Sequence, residues 1–401
     1  MGKTTKGYKV RKCNNVEAVY SDIFDRSSLT AVLKFDANII ESRYQAPVFR
    51  FLTQYLLEQE WNKIKKTSSG FKMGSNINCN GVLSIRIDVE DEPAMGQARL
   101  EKAIKLALGA IDSIKRRWLK EFGTAELVDL RDLPSLNTFY CTDMILFDAV
   151  KEVMWPDNKT PEVVCSYHNL IEKGVHRGAY HKFLVRLFSR QNVRTTIYAN
   201  SDRPSIQLGR IVDMLSGKLS SYQRPKMVNW SKREIMSGEA SIDVLSPHPT
   251  YLGSIVLLGC ELPFNDKLWA TIMVMHRLIE EEEGLNLSYF NNALCVYAES
   301  EVYTKLQEFV MGDYAEFLTD EQIGSFAKLV SPSGAGNLSL MLAAGEMVDI
   351  AVDHGVNSGY NTGSEIDMIE KLSEVTKEDV ESVFKALADG SVIIRASDCV
   401  A

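Results

Sequence analysis

The sequence predicts an α+β protein of two similar lobes, each an antiparallel sheet with helices packed on one face. Three observations lead there. Strictly alternating apolar segments stand beside long amphipathic stripes, and the same strand and helix order returns on both sides of a polar stretch near the middle. The 401 residues are also enough for two to three domains at about 150 residues each.

Residues 31–35 predict a short strand, and Val48, Leu52, Tyr55, Leu56 and Gln59 predict a helix that Pro47 opens near its first turn. Leu83, Ile85, Ile87 and Val89 alternate with Ser84, Arg86, Asp88 and Glu90, which is the period of a strand with one buried face. Leu100, Ile104, Ala107, Leu108, Ile111, Ile114 and Trp118 then recur at three- and four-residue steps, the stripe of a long helix lying on that sheet. Val193, Thr195, Ile197 and Ala199 give another strand. After it, Ser201 and Asp202 are candidate caps and Pro204 a helix start, with Leu208, Ile211, Val212 and Leu215 as the apolar face and Gly217 closing the helix.

Residues 220–234 are polar, contain Pro225 and several basic side chains, and show no sustained periodicity; they predict a linker between a first lobe at 1–222 and a second at 235–401. Beyond it the order repeats, with a strand at 254–260, a helix at 266–281 and a strand at 293–298. Thr319-x-x-Gln322 and Thr376-x-x-Asp379 have the spacing of capping boxes, and residues 391–395 form a last strand.

With 45 Lys and Arg against 53 Asp and Glu, the net charge is −8, so no overall basic field exists to hold a nucleic-acid backbone. Apolar runs such as 268–275 fall well short of the roughly 20 residues that cross a bilayer, and no membrane insertion is expected. Seven scattered cysteines, odd in number and never spaced C-x-x-C, argue against a disulfide framework and fit a reducing compartment, the cytoplasm. The first 15 residues carry five basic side chains and no acid; the absence of Ser-rich amphipathic character favours a solvated basic tail over an organelle-targeting segment.

Several constellations invite a chemical reading. His168, Glu172 and His176 would lie on one face of a continuous helix, as a metal requires, yet the histidines would stand two turns apart, about 12 Å of rise, with Gly174 weakening the turn between them. His181, five residues beyond His176, points elsewhere. The run Ser333-Gly334-Ala335-Gly336-Asn337 could cradle a phosphate, but no Gly-Lys-Ser/Thr context accompanies it and a plain loop is favoured. Glu280, Glu281, Glu282 and Glu283 crowd a helix C-terminus, where they oppose the macrodipole; they form a solvated face or meet a basic partner. No G-x-S-x-G elbow occurs.

The duplicated element order, the run Glu374-Val375-Thr376-Lys377-Glu378-Asp379-Val380 before a helix and strand, Gly74-Ser75-Asn76-Ile77-Asn78-Cys79, and residues 194–219 resemble the inverzincins. These are the pitrilysin and insulysin-type metallopeptidases, whose superfamily includes mitochondrial processing peptidase and the core subunits of the respiratory cytochrome bc complex. The resemblance covers nearly the whole chain. It implies that the helix after the first core strand should carry H-x-x-E-H, two zinc ligands and a water-activating glutamate.

Here the matching residues are Arg50-Phe51-Leu52-Thr53-Gln54. Arg50 stays protonated and has no lone pair for zinc, Thr53 is no base at neutral pH, and Gln54 offers only a weak neutral oxygen. The family's second lobe supplies an arginine and a tyrosine around a Gly-Leu pair. Gly284, Leu285 and Tyr289 answer part of that pattern, but glutamates occupy the arginine positions and Arg277 is twelve residues from Tyr289.

The resemblance therefore implies a catalytically inactive inverzincin-like protein without catalytic residues, metal or cofactor. It would act by binding, as partner of an active peptidase subunit, as receiver of a peptide, or as a scaffold, in a dimer or larger assembly; a mitochondrial matrix location is then the alternative to the cytoplasm. The rival readings are an unrecognised enzyme, with a metal at His168, Glu172 and His176 or a phosphate at Gly334 and Gly336, and a self-assembling structural protein.

Overall fold

The computed structural model describes residues 4–5, 8–21, 24, 26–37, 46–67, 70–77, 82–90, 96–121, 127–128, 175–222, 238–246, 254–262, 266–280, 285–290, 293–299, 319–324, 371–390 and 392–400. Their elements fall into two compact units, one up to Tyr222 and one from Gly238 onward.

In the first unit, strands β1 (Thr4–Thr5), β2 (Tyr8–Cys13), β3 (Val16–Ser21) and β4 (Ser28–Asp36) lead into helix α1 (Ala46–Thr67). Strands β5 (Phe71–Ile77) and β6 (Val82–Glu90), helix α2 (Gly96–Glu121) and the short pair β7 (Leu127–Val128) and β8 (Val175–His176) follow. Helix α3 (Arg177–Leu187), strand β9 (Val193–Ala199) and helix α4 (Leu208–Lys218) complete it. Seven strands form one sheet in the order β1-β2-β3-β9-β4-β6-β5, antiparallel throughout except for the parallel pair β3 and β9.

The alternation seen in β6 sets the register. Leu83, Ile85 and Ile87 lie opposite Phe35, Leu33 and Ala31 of β4, and all six side chains are buried. Onto this apolar face α2 lays the stripe that runs from Leu100 to Trp118, all of it buried, and α1, packed against β5 and α2, buries Leu52, Leu56 and Leu57. Each such burial contributes about 1.5–3 kcal/mol for a side chain of leucine size. Edge-to-face rings join the layers, with Phe35 against Phe188 at 5.1 Å and Trp118 against Tyr180 at 4.5 Å.

The second unit contains β10 (Gly238–Ser246), β11 (Ser254–Glu261), helix α5 (Asp266–Glu280), β12 (Leu285–Phe290) and β13 (Ala293–Glu299). Helix α6 (Lys377–Gly390) and β14 (Val392–Val400) close it. The sheet order is β10-β14-β11-β13-β12, again antiparallel except for one parallel pair, β10 and β14. Strand for strand this repeats β3-β9-β4-β6-β5 of the first unit. The helix after the third strand in this order (α1, α5) and the helix before the second (α3, α6) recur too, so the duplication is one of topology. Both capping boxes form: Thr319 and Gln322 exchange bonds of 3.0 and 3.2 Å, and Thr376 and Asp379 bonds of 3.0 and 3.4 Å.

The α+β class with two similar lobes stands, each sheet carrying one parallel pair among its antiparallel ones, and three expectations are corrected. The basic N-terminus is no free tail; β1 and β2 belong to the sheet, with Lys9, Arg11 and Lys12 exposed along a largely uncovered border, where charge discourages pairing with other chains. Pro204 starts no helix, because the backbone of this segment is committed elsewhere. Asp202 N–H donates to Asn200 Oδ1 at 3.1 Å and Ile206 N–H to the Tyr20 hydroxyl at 2.7 Å, so α4 begins at Leu208, with no side-chain cap from Gln207.

Finally, Ser220 is not linker. It forms a bridge to Ser189, accepts from Arg190 N–H at 2.9 Å, and donates its hydroxyl to the Val185 carbonyl at 2.6 Å.

Candidate functional site

Arg50, Thr53 and Gln54, singled out by the resemblance, sit on α1, the helix that follows β4. The helix begins at Ala46, next to Pro47, and its period turns Thr53 inward with Phe49 and Leu52. Thr53 is fully buried; its hydroxyl donates to the Phe49 carbonyl at 2.7 Å and lies 2.9 Å from the Tyr180 hydroxyl of α3. The surrounding rings are Phe49, 5.2 Å from Tyr180, and Phe183 and Trp118. Burial drives the Tyr180 phenol well above its ordinary pKa, the Thr53 bond opposing this only weakly, so Tyr180 is a neutral packing group and not an acid.

Arg50 is 6% exposed, a permanent cation one turn below Thr53. Gln54 turns toward the sheet edge, where its Oε1 accepts from Ile77 N–H of β5 at 3.3 Å. One further turn along lies Glu58, whose carboxyl is lifted above the usual carboxylate range by burial, an effect that the Ser75 backbone and hydroxyl close by only partly offset. Trp61 Nε1 donates to Ser75 Oγ at 2.9 Å. A divalent metal needs lone pairs from neutral imidazole, thiolate or carboxylate. At the three positions of the zinc motif this helix presents a guanidinium, a hydroxyl already committed and an amide already committed, so the residues present do not fit zinc.

The rival constellations fare as follows. His176 belongs to β8 and caps α3, its backbone extended and its Nδ1 accepting from Ala179 N–H at 3.4 Å. A continuous helix from His168 through His176 is thereby corrected: the chain at 175–176 is strand. His168 and Glu172, like Gly334 and Gly336, lie outside the described residues. Glu280 ends α5, as expected of that helix, while Glu281, Glu282, Glu283 and Gly284 lie outside the description. Leu285 and Tyr289 fall on β12 and Arg277 on α5. Among the described residues no group of three His, Cys, Asp or Glu could hold a metal ion. His181 is held below its usual pKa by burial, then by Lys115 and Arg177 nearby.

The sequence reading missed Tyr180, Glu58 and Trp61, and it named Ser75 only within the Gly74–Cys79 segment. Gln54, Glu58 and Trp61 stand at i, i+4 and i+7, a spacing that marks one helix face, but nothing in the sequence says that a strand edge lies against it.

No protein-family model and no curated protein matches the chain. Solved structures do. The chain is similar to the peptidase M16 inactive domain from Pseudomonas fluorescens, at 12% identity and a TM-score of 0.55, with 98% of each chain covered. It is similar to a chain of complex III2 from Candida albicans at 10% identity and a TM-score of 0.57, covering 99% of this chain and 95% of that one. A third likeness, to the periplasmic protease PqqL from Escherichia coli, has 8% identity and a TM-score of 0.54; all of this chain is covered but 46% of PqqL, so the chain spans about half of that protein. At such identities the likeness is one of fold. Over nearly its whole length this chain has the pitrilysin-type, M16 peptidase fold, and its sequence contains no H-x-x-E-H.

Proposed function

We propose that this chain is a catalytically silent M16-type protein that acts by binding another protein, as the partner subunit of an active peptidase or as a scaffold in a larger assembly. One observation carries the reading: where a water-activating carboxylate would stand, Thr53 is fully buried, with its hydroxyl bonded to Phe49 and Tyr180. A group sealed in an aromatic cluster neither meets a substrate nor takes up a proton. The neighbours in fold support the binding half of the proposal, since one is described as an inactive domain and another is part of complex III2. Fold analogy alone is a weak warrant for function, and the buried threonine adds a physical one.

Two measurements test this. Elemental analysis of the purified chain should find no stoichiometric zinc, and unfolded peptides should survive incubation with it; one tightly held zinc with chelator-sensitive cleavage overturns the silent reading. Affinity purification at low and high salt, followed by sizing, should recover a reproducible protein partner. Replacing Glu280, Glu281, Glu282 and Glu283 with glutamine should slow association at low salt more than at high salt, as an acidic encounter surface requires. A monomer without a reproducible partner defeats the binding half.

A further inference from the structure

The start of a helix leaves backbone N–H groups without intrahelical partners. In a capping box the side chain at the third helical position accepts the N–H of the residue before the helix. Helix α4 cannot do this. Its third residue is Arg210, which has no acceptor, and Gln207 ahead of it makes no side-chain cap. The oxygen comes instead from α2: Gln97 Oε1 accepts from Gln207 N–H at 3.0 Å.

The same glutamine is held in turn. Its Nε2 donates to Glu101 Oε1 at 2.7 Å, one turn along α2, and Arg210 Nε meets that same oxygen at 3.3 Å. Glu101 is buried, which shields the pair in part from salt. A closed ring of contacts thus runs from the start of α4 through Gln97 and Glu101 back to Arg210. The helix it holds is slight. α4 has eleven residues, including Gly209 and Gly217, and packs on β2, β3 and α2 with Leu208, Ile211 and Leu215 buried. Its other end is tied separately, Ser220 N–H donating to the Phe188 carbonyl at 3.1 Å.

We propose that Gln97, Glu101 and Arg210 form a latch by which α2 caps α4 from outside and keeps it closed over β2 and β3, and that α4 opens as a local unit when the latch is released. Closed, the helix shields the strands beneath it. Open, it withdraws three apolar side chains and uncovers them. None of the three latch residues lies on α1, so the device goes beyond the silent-subunit reading and holds whether or not the chain binds zinc.

Residue-resolved amide exchange on the full-length chain tests this. In the wild type the amides of residues 212–218 should share one opening and exchange faster than those of β4 and β6. Gln97→Ala should speed the α4 amides by about three- to tenfold, the worth of one hydrogen bond, and leave β4 and β6 unchanged. Arg210→Met is the sharper variant. A cation in the first turn opposes the helix dipole, so its loss slows exchange in a helix without a latch, whereas with the latch it must speed exchange. Because both side chains act through Glu101, the double variant should fall short of the product of their separate effects. Wild-type α4 amides that open only together with β4 and β6 overturn the proposal without relying on any variant folding. So does an Arg210→Met chain whose α4 amides exchange no faster than wild type, or a double variant whose effect equals the product.

Discussion

Thr53 Oγ1 lies 2.9 Å from the Tyr180 hydroxyl, and both side chains are fully buried. Since Thr53 gives its only proton to the Phe49 carbonyl, Tyr180 must be the donor between them. Thr53→Val keeps the shape, removes the acceptor and strands a buried phenol O–H, so it should lower stability by about 1–3 kcal/mol. Tyr180→Phe removes the donor but orphans no proton, and should cost less. In urea unfolding the double variant should lose less than the two single variants summed, because they share one bond. Simple additivity would show that the contact carries no energy.

Rebuilding the zinc motif is predicted to fail for a structural reason. Arg50→His, Thr53→Glu and Gln54→His together would place a carboxylate at a site with no exposure, among Phe49, Tyr180 and Phe183. Burying an unpaired carboxylate costs several kcal/mol. The third change also takes from Ile77 N–H its acceptor. Thermal unfolding should therefore drop by several degrees or more, and zinc should bind weakly at most. Stoichiometric zinc with an unchanged melting temperature would contradict this.

The parts of the fold that were legible in the sequence are those whose pattern has a single physical cause. β6 alternates because one face meets α2, and the α2 stripe is apolar because it packs on the sheet and on the neighbouring helices α1 and α3; both emerge within a few residues of their expected bounds. β2 was illegible because exposed Lys9, Arg11 and Lys12 mask a strand at the border of a sheet. β10 does carry the alternation, with Ala240, Ile242 and Val244 between Glu239, Ser241 and Asp243, yet it follows directly on polar sequence and pairs with β14, about 150 residues away. The site divides the same way. The identities of Arg50, Thr53 and Gln54 exclude zinc at once, whereas the bond to Tyr180 joins residues 127 apart and no local pattern encodes it.

Side-chain and backbone contacts continue into the first residues of the expected linker. Ser220 is held by Val185, Phe188 and Arg190, and the Tyr222 hydroxyl accepts from Arg186 Nη2 at 3.1 Å, with the guanidinium 5.1 Å from its ring. We therefore expect brief trypsin treatment to cut first at Lys226, Lys232 or Arg233, Arg224 being shielded by the proline that follows it, and to spare Lys218. Mass spectrometry of the earliest fragments decides. Early ends at Lys218 or within α2 would refute an inter-unit linker that begins after Tyr222.

In the second unit the Asp379 carboxylate serves two elements at once. It closes the capping box of α6 with Thr376, and it meets Lys267 of α5 at 2.6 Å. Partial burial raises its pKa, but the Lys267 bond and the two Thr376 bonds outweigh that and hold the carboxyl below its ordinary value. A carboxyl lowered on folding adds stability that is full above its unfolded pKa, about 3.9, and is lost as pH falls through the lower folded value. Asp379→Asn retains an oxygen for Thr376 but loses the charge. It should therefore be less stable than wild type at pH 7 in urea unfolding, and the gap should narrow below pH 4 and close near pH 2. Lys267→Met should narrow the gap over the same range, because it removes the other charge of the pair while leaving the capping box in place. A gap that stays constant from pH 7 to pH 2 would mean that Asp379 acts only through its cap, with the ion pair contributing nothing.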